Sequence, residues 1–429
     1  MWIPEILDPL ETAGRVGLSL AGNIGEMAFI ELELAYATKL LPRFSDDPVI
    51  RRNQNTLLYW QYGYYKSKIL EVFSQTIPEA LKAVDITSMT LEKIFGSIDE
   101  KKRRIIEPAF TNDVHFVIVS ELTALLGQRD AMRQFANTMN LVLENEKVVR
   151  QILKLGHEQI DEAQLSELKK KGVAYDFVKG ELSYSPNICV FAATRPLENR
   201  YYTYLNGSGH FSRYHVIQHR VTDEEASKHL HEDYKLNKQT LDQLTQINAA
   251  LSNVRVKKML RPSESLMKPI YDDIEALVKD EIAEKPRLKL ADVISPRLKG
   301  DLIRELVSHA FPRNASLSGL QNIEELRYTQ EDVDFIRERL YHFIEFAVNP
   351  IIAASYSRLT EGSKRDQVKT RILVCLSDGA EWHIDRIMKA VEPLKISPAL
   401  VYIALNELIK EGKVRKPRRG YYQIVKSVE

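Results

Sequence analysis

The sequence predicts an α/β protein with a largely parallel sheet, followed by a helical region and a small C-terminal domain. Three observations carry that prediction. The runs TLLYW at 56–60, VHFVIV at 114–119 and ICVFAA at 188–193 are almost continuously apolar, as strands buried on both faces are. Segments with helical apolar spacing separate them, so strand and helix alternate. From about Asp223 the strand signals fade and helical spacing dominates to about Arg358, leaving Asp366–Val425 as a compact segment of its own.

In order along the chain, the first 50 residues read as helical, with apolar spacing through Met27–Leu41 and a stop at Pro42. TLLYW is a strand, Tyr62-Gly63 a turn and Lys66–Thr76 an amphipathic helix. VHFVIV is a buried strand, and a helical stretch is expected over Asp130–Leu153. VAYDFV, a Lys179-Gly180 turn and ELSYS read as a hairpin, and ICVFAA as a second buried strand. The charged stretch Lys279–Pro296 resembles a connection within the helical region, and Leu359–Lys364 is a linker candidate. The expected domains are a helical segment at 1–48, an α/β core at 49–222, a helical domain at 223–358 and a small domain at 365–429.

Composition narrows the classes. At roughly 100–200 residues per domain, 429 residues allow two to four domains. With 44% apolar residues, disordered and collagenous chains are excluded. Cys189 and Cys375, far apart and outside any CxxC pattern, exclude a disulfide scaffold. No apolar run approaches the ~20 residues of a membrane span; the best, Phe343–Tyr356, carries Glu345 and is broken by Asn349-Pro350. MWIPEILDPLE lacks a basic stretch before an apolar one, so a secretory signal is not expected and a cytoplasmic protein is. Net charge is only +1, so any nucleic-acid argument rests on charge distribution.

Triphosphate binding calls for N–H groups converging at a helix N-terminus, a lysine for the terminal phosphates and a hydroxyl for magnesium. The usual loop is GxxxxGK[ST] after a strand. Here the turn reads Trp60-Gln61-Tyr62-Gly63-Tyr64-Tyr65-Lys66-Ser67. Gly63, Lys66 and Ser67 fit, whereas Trp60 and Tyr65 stand where the pattern has glycines. An aromatic strand end with a surface Lys-Ser would read the same way. FVIVSEL then ends a buried strand at Ser120-Glu121. Glu121 is the candidate to activate water, and Ser120 occupies the place of a metal-linked aspartate. ICVFAATRP ends a strand at Thr194, a side chain able to orient that water. Arg213, in GHFSRYHVI, is a candidate to stabilise transition-state charge from across a subunit interface.

In this order the four elements resemble Walker A, Walker B, sensor 1 and the arginine finger of AAA+ ATPases. Within that class they are similar to the minichromosome-maintenance (MCM)-like helicases and related plasmid and phage ATPases. Lys66 and Glu121 are 55 residues apart, Glu121 and Thr194 73, Thr194 and Arg213 19. Ser212-Arg213-Tyr214 looks like the Ser-Arg-Phe of the MCM finger, and Leu141–Ile152 is similar to that branch's helix-then-hairpin insertion. SPRLKGDLIRELVSHA, at 295–310, resembles the lid helix bearing the sensor-2 arginine, with Arg297 at that position and Arg304 two turns later. The resemblance covers roughly residues 50–345 and implies a P-loop AAA+ core with a helical lid, ATP and Mg2+ as cofactors, and a homo-oligomeric ring, expected to be a hexamer. Ser67 would meet magnesium through the nucleotide, and Lys179, or else Lys154, would grip DNA from the hairpin. The chain departs from the pattern at three points. Tyr64 and Tyr65 are not expected to take the positive φ that glycines allow. Ser120 removes a formal charge from the magnesium shell. Only about 50 residues precede the loop, so the large N-terminal domain of cellular MCM proteins is not expected.

Asp366–Val425 reads as three helices (Gln367–Leu376, Ile384–Val391 and Ser397–Lys410) followed by the two-stranded VRKPRRGYYQIV, and resembles a winged helix. Lys410, Lys413, Arg415, Lys416, Arg418, Arg419 and Lys426 face Glu411 alone over 410–426, a balance suited to phosphate neutralisation. The leading expectation is an MCM-like ATPase that moves on or unwinds DNA, suited to a mobile element. The alternatives are a catalytically impaired DNA-binding or scaffold protein of the same fold, and a winged-helix transcription regulator. His115, His210, His215 and His219 have no carboxylate or cysteine at ligand spacing in sequence and read as structural or exposed; His229 and His231 fall on different helix faces.

Overall fold

In the computed structural model the described residues are 8–46, 53–61, 63–99, 101–126, 129–154, 156, 160–196, 205, 210, 213–219, 221–231, 234–283, 289–290, 294, 296–319, 321–344, 364–376, 380–392, 397–418 and 420–425. They divide into two units, one of residues 1–277 with 294–348, the other of 278–293 with 349–429.

The first unit opens on the helix Pro9–Leu40, bent at Ala21-Gly22. The Asp8 carboxylate caps it, accepting from the Leu10 N–H at 2.8 Å. Across the bend a Cβ on Gly17 would meet the Gly25 carbonyl oxygen at 2.0 Å, so that crossing tolerates only glycine. The strands described next are β1 (Thr56–Tyr59), β2 (Ala83–Asp85), β3 (Ser97–Asp99), β4 (Arg104–Ile106), β5 (Phe116–Val119), β6 (Val148–Gln151), β7 (Val173–Asp176), β8 (Glu181–Tyr184), β9 (Cys189–Thr194) and β10 (His215–Gln218). Five of them make a parallel sheet in the order β10-β1-β9-β5-β2. Leu57, Val117, Val119, Val190 and Ala192 pack into a layer with Phe95, Phe135 and Met139. Leu58, Phe116, Ile118, Phe191 and Ala193 pack into another with Phe29, Tyr36 and Phe73. Layers on both faces explain why these strands lack hydrophobic-polar alternation.

The helix expected over Asp130–Leu153 spans only Arg129–Leu143. Asn145 takes a positive φ of 52°, and the chain re-enters as β6, antiparallel to β8, which also carries β7. Pairing with 148–151 closes the edge of β8 that a longer helix would have left open. Beyond β10 come helices Asp223–His231, Lys238–Ser252, Glu264–Ile282, Pro296–Leu317 and Gln330–Phe343. A small parallel pair, β11 (Val256–Lys258) with β12 (Ile323–Glu325), joins two loops there, an element with no strand-like run to announce it. The N-terminal helix is not set apart: its inner face shares the core with β1 and β9, and it packs on helices Lys238–Ser252 and Pro296–Leu317. Of the linker candidate Leu359–Lys364, residues 359–363 lie outside the described residues and Lys364 begins a helix.

In the second unit, helices Lys364–Cys375, Ile384–Val391 and Pro398–Lys410 surround Val368, Ile372, Ile387, Val401, Leu405 and Leu408. β13 (Trp382–His383), β14 (Val414–Arg418) and β15 (Tyr421–Ile424) form an antiparallel sheet in the order β13-β15-β14. Among the described residues no helix is long and apolar enough to cross a membrane.

Candidate nucleotide site

Because the five strands are parallel, their C-terminal ends share one edge, and the connection leaving β1 crosses to the far side of the sheet. Ligand crevices of open α/β sheets lie outside such ends. Tyr59 is the register partner of Thr194, so the loop after β1 and the tip of β9 are immediate neighbours. Helix Lys66–Ser74 starts directly behind this edge and presents its N-terminal amides to it. The helix begins unusually. Tyr65 sits in the left-handed region at φ 55°, with Gly63 at φ 89° just before it. This corrects the expectation that a tyrosine would not take that conformation. Tyr65 is held there by ring contacts to His229 and Tyr234, with centroids 5.6 and 6.2 Å away. The Trp60 indole N–H, donating to the Tyr64 carbonyl at 2.8 Å, closes the loop from the other side. Left-handed backbone costs a non-glycine residue roughly 1–2 kcal/mol, so these contacts offset real strain.

Lys66 is buried, and its ammonium donates to the Trp60 and Gln61 carbonyls at 2.8 and 2.6 Å. Burial pushes its pKa down to about 8, against the opposing pull of the Glu121 carboxylate. The Ser67 hydroxyl donates to the Ser120 carbonyl at 2.9 Å, which ties the loop to the tip of β5. Glu121 is fixed through one oxygen: Oε1 accepts from the Thr123 hydroxyl at 2.6 Å, the Thr123 amide at 3.1 Å and the Thr194 hydroxyl at 3.3 Å. Lys66, Ser67, Ser120, Glu121 and Thr194 therefore converge on one edge. No family model matches the chain, and no curated protein does. The site's chemistry consequently rests on its own geometry. Beside the Lys66 ammonium stand the hydroxyls of Ser67, Ser120 and Thr194 and the Glu121 carboxylate, oxygens of the kind that could hold a hard cation such as Mg2+ carried by a triphosphate.

Arg213 lies elsewhere. It precedes β10, at the N-terminal edge of the sheet, where Asn55 donates to its carbonyl at 3.3 Å and Glu144 pairs with its guanidinium at 2.6 Å. It cannot reach the Lys66 edge of its own chain; any role in phosphoryl chemistry is toward another subunit and requires release from Glu144. Arg297 is in helix Pro296–Leu317, its side chain outside the described residues, and Arg304 pairs with Asp301. Lys179 is exposed beside Val178 at the β7–β8 tip, where Asp176 Oδ1 accepts the amides of both residues at 3.0 and 2.9 Å. Ser212 and Arg419 lie outside the described residues.

In the second unit the basic run is partly engaged, and one of its partners is a carboxylate remote in sequence. Arg418 pairs with Glu381 at 3.2 Å, Lys413 with Glu411 at 2.9 Å, and Arg415 is braced by the Gln423 amide oxygen. Lys416 lies over the Tyr422 ring at 5.8 Å.

Two of the histidines read as structural or exposed have carboxylate partners in the fold. His219 meets Glu225 at 3.0 Å. His215 is buried with carboxylates contributed from far along the chain: its Nε2 is 3.3 Å from Glu31 and 3.9 Å from Glu305. The three ligand atoms lie within 4.8 Å of one another, a spacing a metal could use. The Arg339 guanidinium already contacts Glu31, so a divalent ion would face that charge, and we read the group as an ionic core.

Proposed function

We propose that the chain is an AAA+-type ATPase that binds ATP at the C-terminal edge of its parallel sheet and acts on DNA. The single observation carrying this reading is the convergence of Lys66, Ser67, Glu121 and Thr194 from three separate strand ends onto one helix N-terminus. In that arrangement Lys66 meets the terminal phosphates, Ser67 holds nucleotide-bound magnesium, and Glu121, aligned by Thr194, accepts a proton from the attacking water. Bound magnesium would supply charge neutralisation. Arg213, on the opposite edge, would serve a neighbouring copy in a ring, and the Lys179 tip would contact the DNA backbone.

The decisive measurement is ATP hydrolysis with and without single-stranded DNA, in the wild type and in Glu121→Gln. Hydrolysis that falls by about 100-fold or more in Glu121→Gln, with nucleotide still bound, is the expected outcome. A second reading is favoured by the way Lys66 and Arg213 are engaged within the chain: a DNA-binding scaffold that binds nucleotide without turnover. Tight binding with no hydrolysis in any condition selects it.

The three-helix unit with its antiparallel sheet is read as a winged helix. Helix Pro398–Lys410 exposes Tyr402 and Ile403, whereas the cations cluster on β14, so phosphate contact is assigned to the wing. Replacing Lys413, Arg415 and Lys416 together by alanine should weaken DNA binding for all sequences alike. The slope of log affinity against log salt should fall by roughly 3, about one for each phosphate that a removed cation had neutralised. An unchanged slope would place the DNA site elsewhere.

A further inference from the structure

The site lacks a carboxylate where the pattern expects one, at Ser120, yet a carboxylate stands beside it. Asp85 ends β2, the edge strand, which pairs with β5 in parallel register so that Asp85 faces Ile118. Its Oδ2 accepts from the Ser120 hydroxyl at 3.3 Å. Its Oδ1 accepts from the Thr87 amide at 2.8 Å, and the Thr87 hydroxyl accepts from the Ser120 amide at 2.7 Å. Asp85, Thr87 and Ser120 thus close a ring of hydrogen bonds around the tip of β5. The other side of Ser120, its carbonyl, receives the Ser67 hydroxyl. A continuous chain runs from Asp85 through Ser120 to the first turn of the loop helix.

We propose that Asp85 is the positioning residue for nucleotide-bound magnesium, supplying through Ser120 the negative charge that position 120 itself does not carry. The inference rests on the ATP reading of the Lys66 site. A neighbouring strand can donate this charge because β2 ends opposite Ile118, one residue before the end of β5. A carboxylate accepting from the Ser120 hydroxyl polarises that oxygen toward a cation or its bound water. Partners acting one step behind a metal ligand change metal affinity by about 10–100-fold when removed.

The test uses the full-length chain and a fluorescent ATP analogue, titrated once with excess Mg2+ and once with EDTA. The proteins are wild type, Asp85→Asn, Ser120→Asp, Asp85→Asn/Ser120→Asp and Lys66→Ala. Asparagine keeps an Oδ1 acceptor for the Thr87 amide, so the turn survives. Asp85→Asn should lose about tenfold in affinity with Mg2+ and little in EDTA. Adding Ser120→Asp to it should restore the Mg2+-dependent part. Mg2+ dependence unaltered in Asp85→Asn, while Lys66→Ala weakens binding by about 100-fold, overturns the role of Asp85 alone. Binding that Lys66→Ala leaves intact overturns the ATP reading of the loop, and this inference with it.

Discussion

Lys66→Ala is expected to lower ATP affinity by about 100-fold, because a charge-assisted bond to phosphate is worth roughly 1.5–3 kcal/mol and a loop lysine makes more than one. The side chain is buried, and removing it also orphans the Trp60 and Gln61 carbonyls that now accept from its ammonium. That part costs fold stability, about 1–3 kcal/mol. Lys66→Met, which keeps most of the stem, separates the two effects: it should lose ATP affinity to a similar degree with less loss of thermal stability. The pH profile gives a second signature. The Lys66 ammonium, pushed down to about 8 by burial despite Glu121, is charged at neutral pH and discharges as pH rises through 8. Wild-type affinity should therefore be full near pH 7 and decline from about pH 8, whereas both variants should show no such decline. Isothermal titration across pH 6.5–9.5 checks this. Equal affinity in wild type and Lys66→Met would remove the phosphate role of Lys66.

The strands that frame this site are legible in the sequence because they are buried on both faces. VHFVIV and ICVFAA need no alternation, and each ends where its polar tip residue, Ser120 or Thr194, meets the sheet edge. Lys66 and Ser67 are legible from order alone, as the first residues of a helix after a strand. What escapes the sequence is what depends on partners remote in the chain. Asp85 belongs to a three-residue strand whose pairing with β5, not its own pattern, brings it to Ser120. Tyr65 reads as unable to replace a glycine because the rings of His229 and Tyr234 that hold it come from beyond β10. His215 has no carboxylate at ligand spacing in sequence; Glu31 and Glu305 arrive from opposite ends of the unit. Arg213 reads as a residue offered outward, and the Glu144 that engages it follows a helix ending ten residues earlier than its periodicity suggests.

Breaking the ionic core at Arg339 should have the largest effect on stability. Glu31, His215 and Glu305 are buried, and Arg339 is nearly so. They tie together the N-terminal helix, β10, helix Pro296–Leu317 and helix Gln330–Phe343. Burial alone would raise the Glu31 carboxyl, but Arg339 and His215 hold it down to about 2. Burial alone would discharge His215, but Glu31 raises it to about 9. Glu305, raised by burial and by the nearby Glu31 charge, titrates at about 8 and is neutral at pH 7. Arg339→Met strips Glu31 of its main cation and should cost about 3–5 kcal/mol, the range for removing one partner of a buried pair. Glu31→Gln/Arg339→Met should recover much of that loss. The folded chain holds protons on His215 and Glu305 that the unfolded chain releases at lower pH. The contribution of His215 is complete below its ordinary value of 6.5 and vanishes as pH rises through about 9. That of Glu305 is complete below 4.5 and vanishes by about 8. Glu33, raised to about 8 by burial, acts in the same window as Glu305. Glu31, with its lowered pKa, stabilises above 4.5 and loses that effect only in strong acid. The melting temperature should thus fall from pH 6 to pH 9. Glu305→Gln should lessen the part of that decline below pH 8 while Glu33 and His215 keep the remainder. A wild-type melting temperature that rises over this range would mean that His215 and Glu305 give up their protons on folding, and that Glu31, His215 and Arg339 do not form a charged core.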